Sequence, residues 1–96
     1  MRYQYTEQEK KNVVTNFMKS GKVTRVPAKE KKKYILLAEF ITRFEQGKIY
    51  TEKEINAELL NVYPSGEYVE QRRYLITFNF FKRTSDGSQY WLSTQD

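Results

Sequence analysis

Between positions 51 and 92 the spacing of apolar residues changes twice. Ile55, Leu59 and Val62 recur at i, i+4 and i+7 and give one buried helical stripe. Ahead of them, Thr51 with Glu54 three residues on forms a capping box, in which each side chain bonds the other's backbone amide, so a helix is expected to start here. Pro64 pushes Tyr63 out of the α region and Gly66 permits a turn, which ends that helix. A second helix is predicted over about residues 67–78. On a helical wheel Tyr68, Val69, Leu75, Ile76 and Phe78 share one side, while Glu70, Arg73, Tyr74 and Thr77 share the other. Arg72 falls among the apolar positions, where a lone guanidinium is costly, so it is expected to pair with a carboxylate (Glu54 and Glu58 being the near candidates) and to be structural. Asn79 tolerates the left-handed backbone of a helix C′ position.

The period then shortens to two. Residues 80–84 and 89–92 flank Asp86-Gly87, which reads as a two-residue type I′ hairpin turn with Arg83 facing Tyr90, Lys82 facing Trp91 and Phe81 facing Leu92. Phe81, Tyr90 and Trp91 are expected to complete the core. Each of the first two pairs sets a cation against a ring, a contact of about 0.5–1 kcal/mol at an exposed site.

Upstream, Thr6 and Glu9 repeat the capping box, and Val13, Val14, Phe17 and Met18 make an apolar patch on a helix of about residues 7–19, ended by Gly21. Residues 22–26 read as a short strand or extended connector. Pro27 suits the first turn of the next helix, predicted over about residues 28–46 with Gly47 at its C′ position. Tyr34, Leu36, Leu37, Phe40, Ile41 and Phe44 form a wide apolar arc on it; Ile35 falls on the polar side and is expected to be covered by the first helix. Lys48, Ile49 and Tyr50 supply a short strand to pair with the hairpin. The predicted fold is α+β: a winged helix-turn-helix, a three-helix core with a C-terminal β-hairpin wing, preceded by an extra N-terminal helix and short strand. It is one domain over residues 1–96, with 1–21 a helical extension and 22–96 the core.

Composition narrows the chemistry. The 96 residues contain neither cysteine nor histidine, which removes disulfides, thiolate and imidazole ligands, and the usual nucleophile–base pairs. Asp occurs only at 86 and 96, so a calcium loop is not encoded. No metal site, cofactor or enzymatic activity is expected. No apolar run approaches a bilayer span and no apolar signal region opens the chain, so a soluble, cytoplasmic protein with no membrane association is expected. The net charge of +5 favours a polyanionic partner. Its distribution cuts the other way: residues 1–47 hold 11 Lys/Arg against 5 Glu, net +6, whereas residues 48–96 hold 6 Lys/Arg against 7 Asp/Glu, net −1.

The candidate DNA contacts are Lys29, Lys31, Lys32 and Lys33 as phosphate anchors, Arg73, Tyr74 and Thr77 on the second helix, and Lys82 and Arg83 on the wing. Each has a plainer reading. The lysine run fits a solvated first helical turn, although cations sit badly at the positive end of a helix dipole. The helix face fits ordinary solvation, and Glu67 and Glu70 repel a duplex. Arg72, Thr51, Glu54, Asp86 and Gly87 are assigned structural roles. Gln71, near the edge of the face, is either an adenine contact or inert.

Four stretches together resemble the family DUF2087: Arg25-Val26-Pro27-Ala28-Lys29 with the lysines after it, Tyr50-Thr51-Glu52-Lys53-Glu54-Ile55-Asn56, Arg72-Arg73-Tyr74-Leu75-Ile76, and Asp86-Gly87-Ser88-Gln89-Tyr90-Trp91. They run in the family's order. The family occurs alone or attached to bacterial transcription regulators, and the resemblance implies a winged helix engaged in transcription regulation. Departures stand at Glu67, where the family tends to Asp, at Glu70 and Gln71, which replace a Thr-Leu pair, and at Asn79, which replaces a Gly. The expected function is a small DNA-binding regulator with double-stranded DNA as partner. The rival is a protein-interaction module that docks on another regulator, on polymerase or on itself through Tyr3, Tyr5, Ile35 and Tyr74.

Overall fold

The computed structural model describes residues 3–94. In chain order these form α1 (Glu7–Phe17), β1 (Met18–Lys19), β2 (Lys22–Val23), α2 (Glu30–Phe40) with a 3-10 turn at Ile41–Arg43, β3 (Tyr50–Thr51), α3 (Glu52–Val62), α4 (Tyr68–Thr77), β4 (Phe81–Arg83) and β5 (Gln89–Leu92). The described residues are a mixed α+β arrangement of four helices and two small antiparallel sheets, β1-β2 and β3-β5-β4.

Both capping boxes form. Thr6 Oγ1 accepts from the Glu9 amide and Glu9 Oε1 from the Thr6 amide, each at 3.0 Å. The Thr51/Glu54 pair does the same at 3.1 and 2.9 Å, and its backbone bond holds the Glu54 carboxyl below the usual range. Helix α4 closes as expected on Asn79, at φ 62, with Asn79 N–H on Ile76 O and Phe80 N–H on Leu75 O. These are the two bonds of a Schellman motif.

Several elements depart from the pattern. Helix α1 stops at Phe17 rather than residue 19, because Met18 turns extended to start a hairpin. That hairpin's two-residue loop is Ser20 and Gly21, at φ 53 and 79, so the double left-handed turn lies here and not at Asp86-Gly87. In the C-terminal hairpin only Gly87 is left-handed, at φ 75; the Gly87 amide bonds Thr84 O and the Thr84 amide bonds Gln89 O, making a four-residue loop. The register is nonetheless Phe81↔Leu92, Lys82↔Trp91 and Arg83↔Tyr90. Pro27 lies outside any helix, and α2 begins three residues later with Lys29 at its N-cap. It ends at Phe40 instead of Gln46: Thr42 Oγ1 bonds Glu39 O at 2.7 Å, competing with the helical ladder, and Phe44 turns extended so that its ring meets Phe40, Tyr50 and Phe81 at 5.0–5.3 Å. Gly47 therefore serves a separate turn at φ 84. Strand β3 starts at Tyr50, two residues later than expected, and does pair with the hairpin through β5.

One hydrophobic core joins all four helices to the second sheet, with Leu37, Ile55, Leu59 and Leu75 fully enclosed and Phe81 nearly so. Ile35 is 2% exposed and shares a groove wall with Val13 and Phe17 of α1, as expected. Tyr34 gathers the rings of Tyr3, Tyr5, Phe78 and Phe80 at centroid separations of 4.7–6.2 Å. The Tyr5 hydroxyl is pushed above its usual pKa by this burial.

Candidate functional site

Helix α4 buries Gln71 and Leu75, and its C-cap Phe78 continues the stripe at i, i+4 and i+7. That sets the rotation differently from the expected wheel. Val69 is exposed, Tyr68 and Ile76 are half-buried, and Gln71 is inside with its Nε2 unbonded by protein. Glu70, Arg73 and Thr77 face out. Tyr74 does not belong with them: half-buried, it stacks on Phe78 at 5.1 Å and accepts a hydrogen bond from Lys33 Nζ at 3.3 Å.

An open cleft of about 430 Å³ lies between α4, the first turn of α3 and the hairpin. Arg72, Arg73, Ile76 and Thr77 line one wall, Arg83, Asp86, Gly87 and Tyr90 the other, and Glu52 the floor between them. Three guanidinia thus meet two carboxylates. Arg72 does pair with a carboxylate, but its partners are Asn56 Oδ1, at 2.6 Å, and Glu52 Oε1, at 3.5 Å, rather than Glu54 or Glu58. Glu54 is spent on its cap and Glu58 pairs with Arg43 at 3.3 Å. Glu52 and Asn56 stand one turn apart on α3, so one guanidinium reaches both.

Across the cleft, Arg83 Nη1 donates to Thr84 O at 3.1 Å and Ser85 O at 3.4 Å, closing its own turn. Asp86 Oδ1 accepts from the Thr84 hydroxyl, the Ser88 amide and the Ser88 hydroxyl at 2.7–3.0 Å, and these bonds pull its carboxyl down to about 2. Arg73 has no protein partner among the described residues and is exposed to whatever enters. The arrangement can bind an anion, with Thr77 as a neutral donor beside it.

Of the residues expected to contact DNA, the fold brings Arg73, Thr77 and Arg83 together. Lys82 lies on the other face of the hairpin, opposite the half-buried Trp91, which for the same reason is not part of the core. Lys29, Lys31 and Lys32 instead line a groove of about 400 Å³ against α1. There Lys31 bridges to Glu9 at 2.8 Å, a bond that lowers the Glu9 pKa, and Lys32 sits 5.7 Å over the Phe17 ring. Lys33 turns towards Tyr74, 5.1 Å from its ring, and ties α2 to α4. The cation–ring contacts fall at these positions and at Arg25, Arg43 and Lys48 rather than on the expected hairpin pairs. Sequence reasoning missed Glu52 and Tyr90 as cleft residues and Asn56 as a partner of Arg72; the Glu52/Asn56 spacing ahead of a semi-buried Arg72 is the signal that carries those two. Among the described residues no group of three or more Asp and Glu gathers that could hold a metal ion, and no helix is long and apolar enough to cross a membrane.

Fold and cleft together define a small α+β protein with an arginine-lined cleft. The chain belongs to the DUF2087 family, described as an uncharacterised protein conserved in bacteria, which it matches over residues 22–92. No curated protein and no solved structure matches it.

Proposed function

We propose that this protein is a winged helix that binds double-stranded DNA and acts in transcription regulation. Helices α3 and α4 with their tight turn are the helix-turn-helix, β4 and β5 the wing, and β3 the strand that anchors the wing to the core. One observation carries the reading: Arg73 and Thr77 of α4 and Arg83 of the hairpin line one cleft. Arg73 and Thr77 lie one turn apart and reach base edges or phosphates together, while Arg83 meets the backbone beside them. Lys82 extends the contact along the wing, and Lys33, lying beside Tyr74, brings one cation of the lysine run to the rear edge of α4. Lys29, Lys31 and Lys32 serve as secondary anchors.

The test is a fluorescence-anisotropy titration of labelled duplex at rising salt. Z phosphate contacts give a log–log slope of about −0.9Z. Arg73→Ala is expected to weaken binding by about 1–3 kcal/mol. Absence of binding to any duplex at low salt overturns the reading.

A second reading, the protein-interaction module, loses the enclosed Ile35 as an anchor, while Tyr3, Tyr5 and Tyr74 are half-buried against Tyr34 or Phe78. It retains Leu60 and Val69, 47% and 44% exposed on α3 and α4. Sedimentation velocity at micromolar concentration tests self-association through them.

A further inference from the structure

The geometry points to a seat for a single phosphate group in the arginine cleft, entered by exchange of the Glu52 carboxylate for the incoming anion. The seat deepens the DNA reading, and rests on it only for where the phosphate comes from.

Glu52 stands between Arg72 and the hairpin tip that carries Arg83. Its Oε1 is 3.5 Å from Arg72 Nη1. Its Oε2 lies 3.3 Å from the point where a side chain on Gly87 would begin, and Arg83 Nη1 lies 3.6 Å from that same point. One oxygen therefore faces α4 and the other faces the hairpin tip, so the carboxylate sits in the cleft as an internal anion. The hold is weak, since Glu52 is about 40% exposed and a pair in that setting is screened by water.

The donors outnumber what Glu52 can use. Arg72 commits Nη1 to Glu52 and Asn56, and Arg83 commits Nη1 to two turn carbonyls. Their Nε and Nη2 groups, and the whole of Arg73, have no protein partner among the described residues. A phosphate brings more acceptor oxygens and more charge than a carboxylate and matches the guanidinium fork. Asp86 is already engaged by Thr84 and Ser88 and stays in place. Its fixed negative charge at the rim limits the cleft to one phosphate. Gly87 leaves the gap between Glu52 and Arg83 open, and displaced Glu52 swings towards solvent. The carboxylate accordingly acts as a built-in competitor that lowers affinity for any phosphate ester.

The experiment follows the arginine Nε–Hε resonances of the full chain while titrating inorganic phosphate, a nucleoside 5′-monophosphate and a short duplex at constant ionic strength. Phosphate is expected to shift Arg72, Arg73 and Arg83 along one saturable curve. Glu52→Gln should tighten all binding ligands about fivefold, the scale of an exposed ion pair. Glu45→Gln, an equal charge change at an exposed site outside the cleft, should stay within twofold. Equal effects from the two variants, or phosphate shifts confined to other arginines, overturn the proposal. If duplex fails to bind at low salt while phosphate or the nucleotide titrates the three arginines with the Glu52 effect, DNA binding falls and the seat stands for a free phosphate ester. If duplex binds and Glu52→Gln matches Glu45→Gln, the seat falls and DNA binding stands.

Discussion

Gly87 has both a backbone and a spatial reason to be glycine. Its φ of 75 is strained for any other residue, and an added methyl meets Glu52 and Arg83. Gly87→Ala is expected to cost about 1–2 kcal/mol in urea unfolding, with the loss centred on the hairpin in hydrogen exchange. Asp86 next to it carries a pH signature. Its folded pKa of about 2 lies below the usual 3.8, so the stability it contributes is complete above pH 4 and is lost as the pH falls towards 2. Glu9 and Glu54, also lowered, act in the same direction. Asp86→Asn should flatten that part of the stability–pH curve and leave the region above pH 5 unchanged in slope. The turn was legible as Asp-Gly; its geometry was not, because one left-handed residue with a four-residue loop preserves the same register as two with a shorter one. Likewise a guanidinium among apolar positions announced a carboxylate partner without saying which of several on α3 it was.

At the scale of elements, the starts of α1 and α3 were the most legible feature, since both capping boxes act over four residues and need nothing distant. Thr51→Ala is expected to cost about 1 kcal/mol by the same unfolding assay. The rotation of α4 was less legible. Tyr68, Val69, Leu75, Ile76 and Phe78 spread too far around the wheel to fix one buried line, and contact with α3 selected the line through Gln71 instead. That choice leaves a buried amide nitrogen without a protein partner. Gln71→Met is therefore expected to raise stability by about 1 kcal/mol, while Val69→Lys should change it by less than about 0.5 kcal/mol. Helix α2 was overextended for a related reason: the sequence shows Phe44 as apolar at helical spacing, whereas the demand for a ring between Tyr50 and Phe81 is visible only once the sheet is in place.

For the molecule as a whole, the basic excess of residues 1–47 does not gather at the cleft. Three of its lysines, Lys29, Lys31 and Lys32, line the α1–α2 groove, where Lys31 and Lys32 are engaged by Glu9 and Phe17, while the cleft itself balances three arginines with two carboxylates. No tally of charge along the chain reveals this, because it depends on how α1 closes over α2. Removing the closure should be costly, and Phe17→Ala is expected to destabilise the fold by about 3 kcal/mol. Under the proposed function, Lys29→Ala with Lys32→Ala should weaken duplex binding less than Arg73→Ala alone.

The order β3-β5-β4 places β4 at the outside of its sheet, with unpaired backbone groups along a three-residue margin. Lys82 and Arg83 stand on that margin, on its two faces. Whatever else they touch, their mutual repulsion between copies is expected to keep neighbouring molecules from zipping strand to strand. Replacing both with threonine should turn a clear concentrated solution into one that scatters light and binds thioflavin on standing.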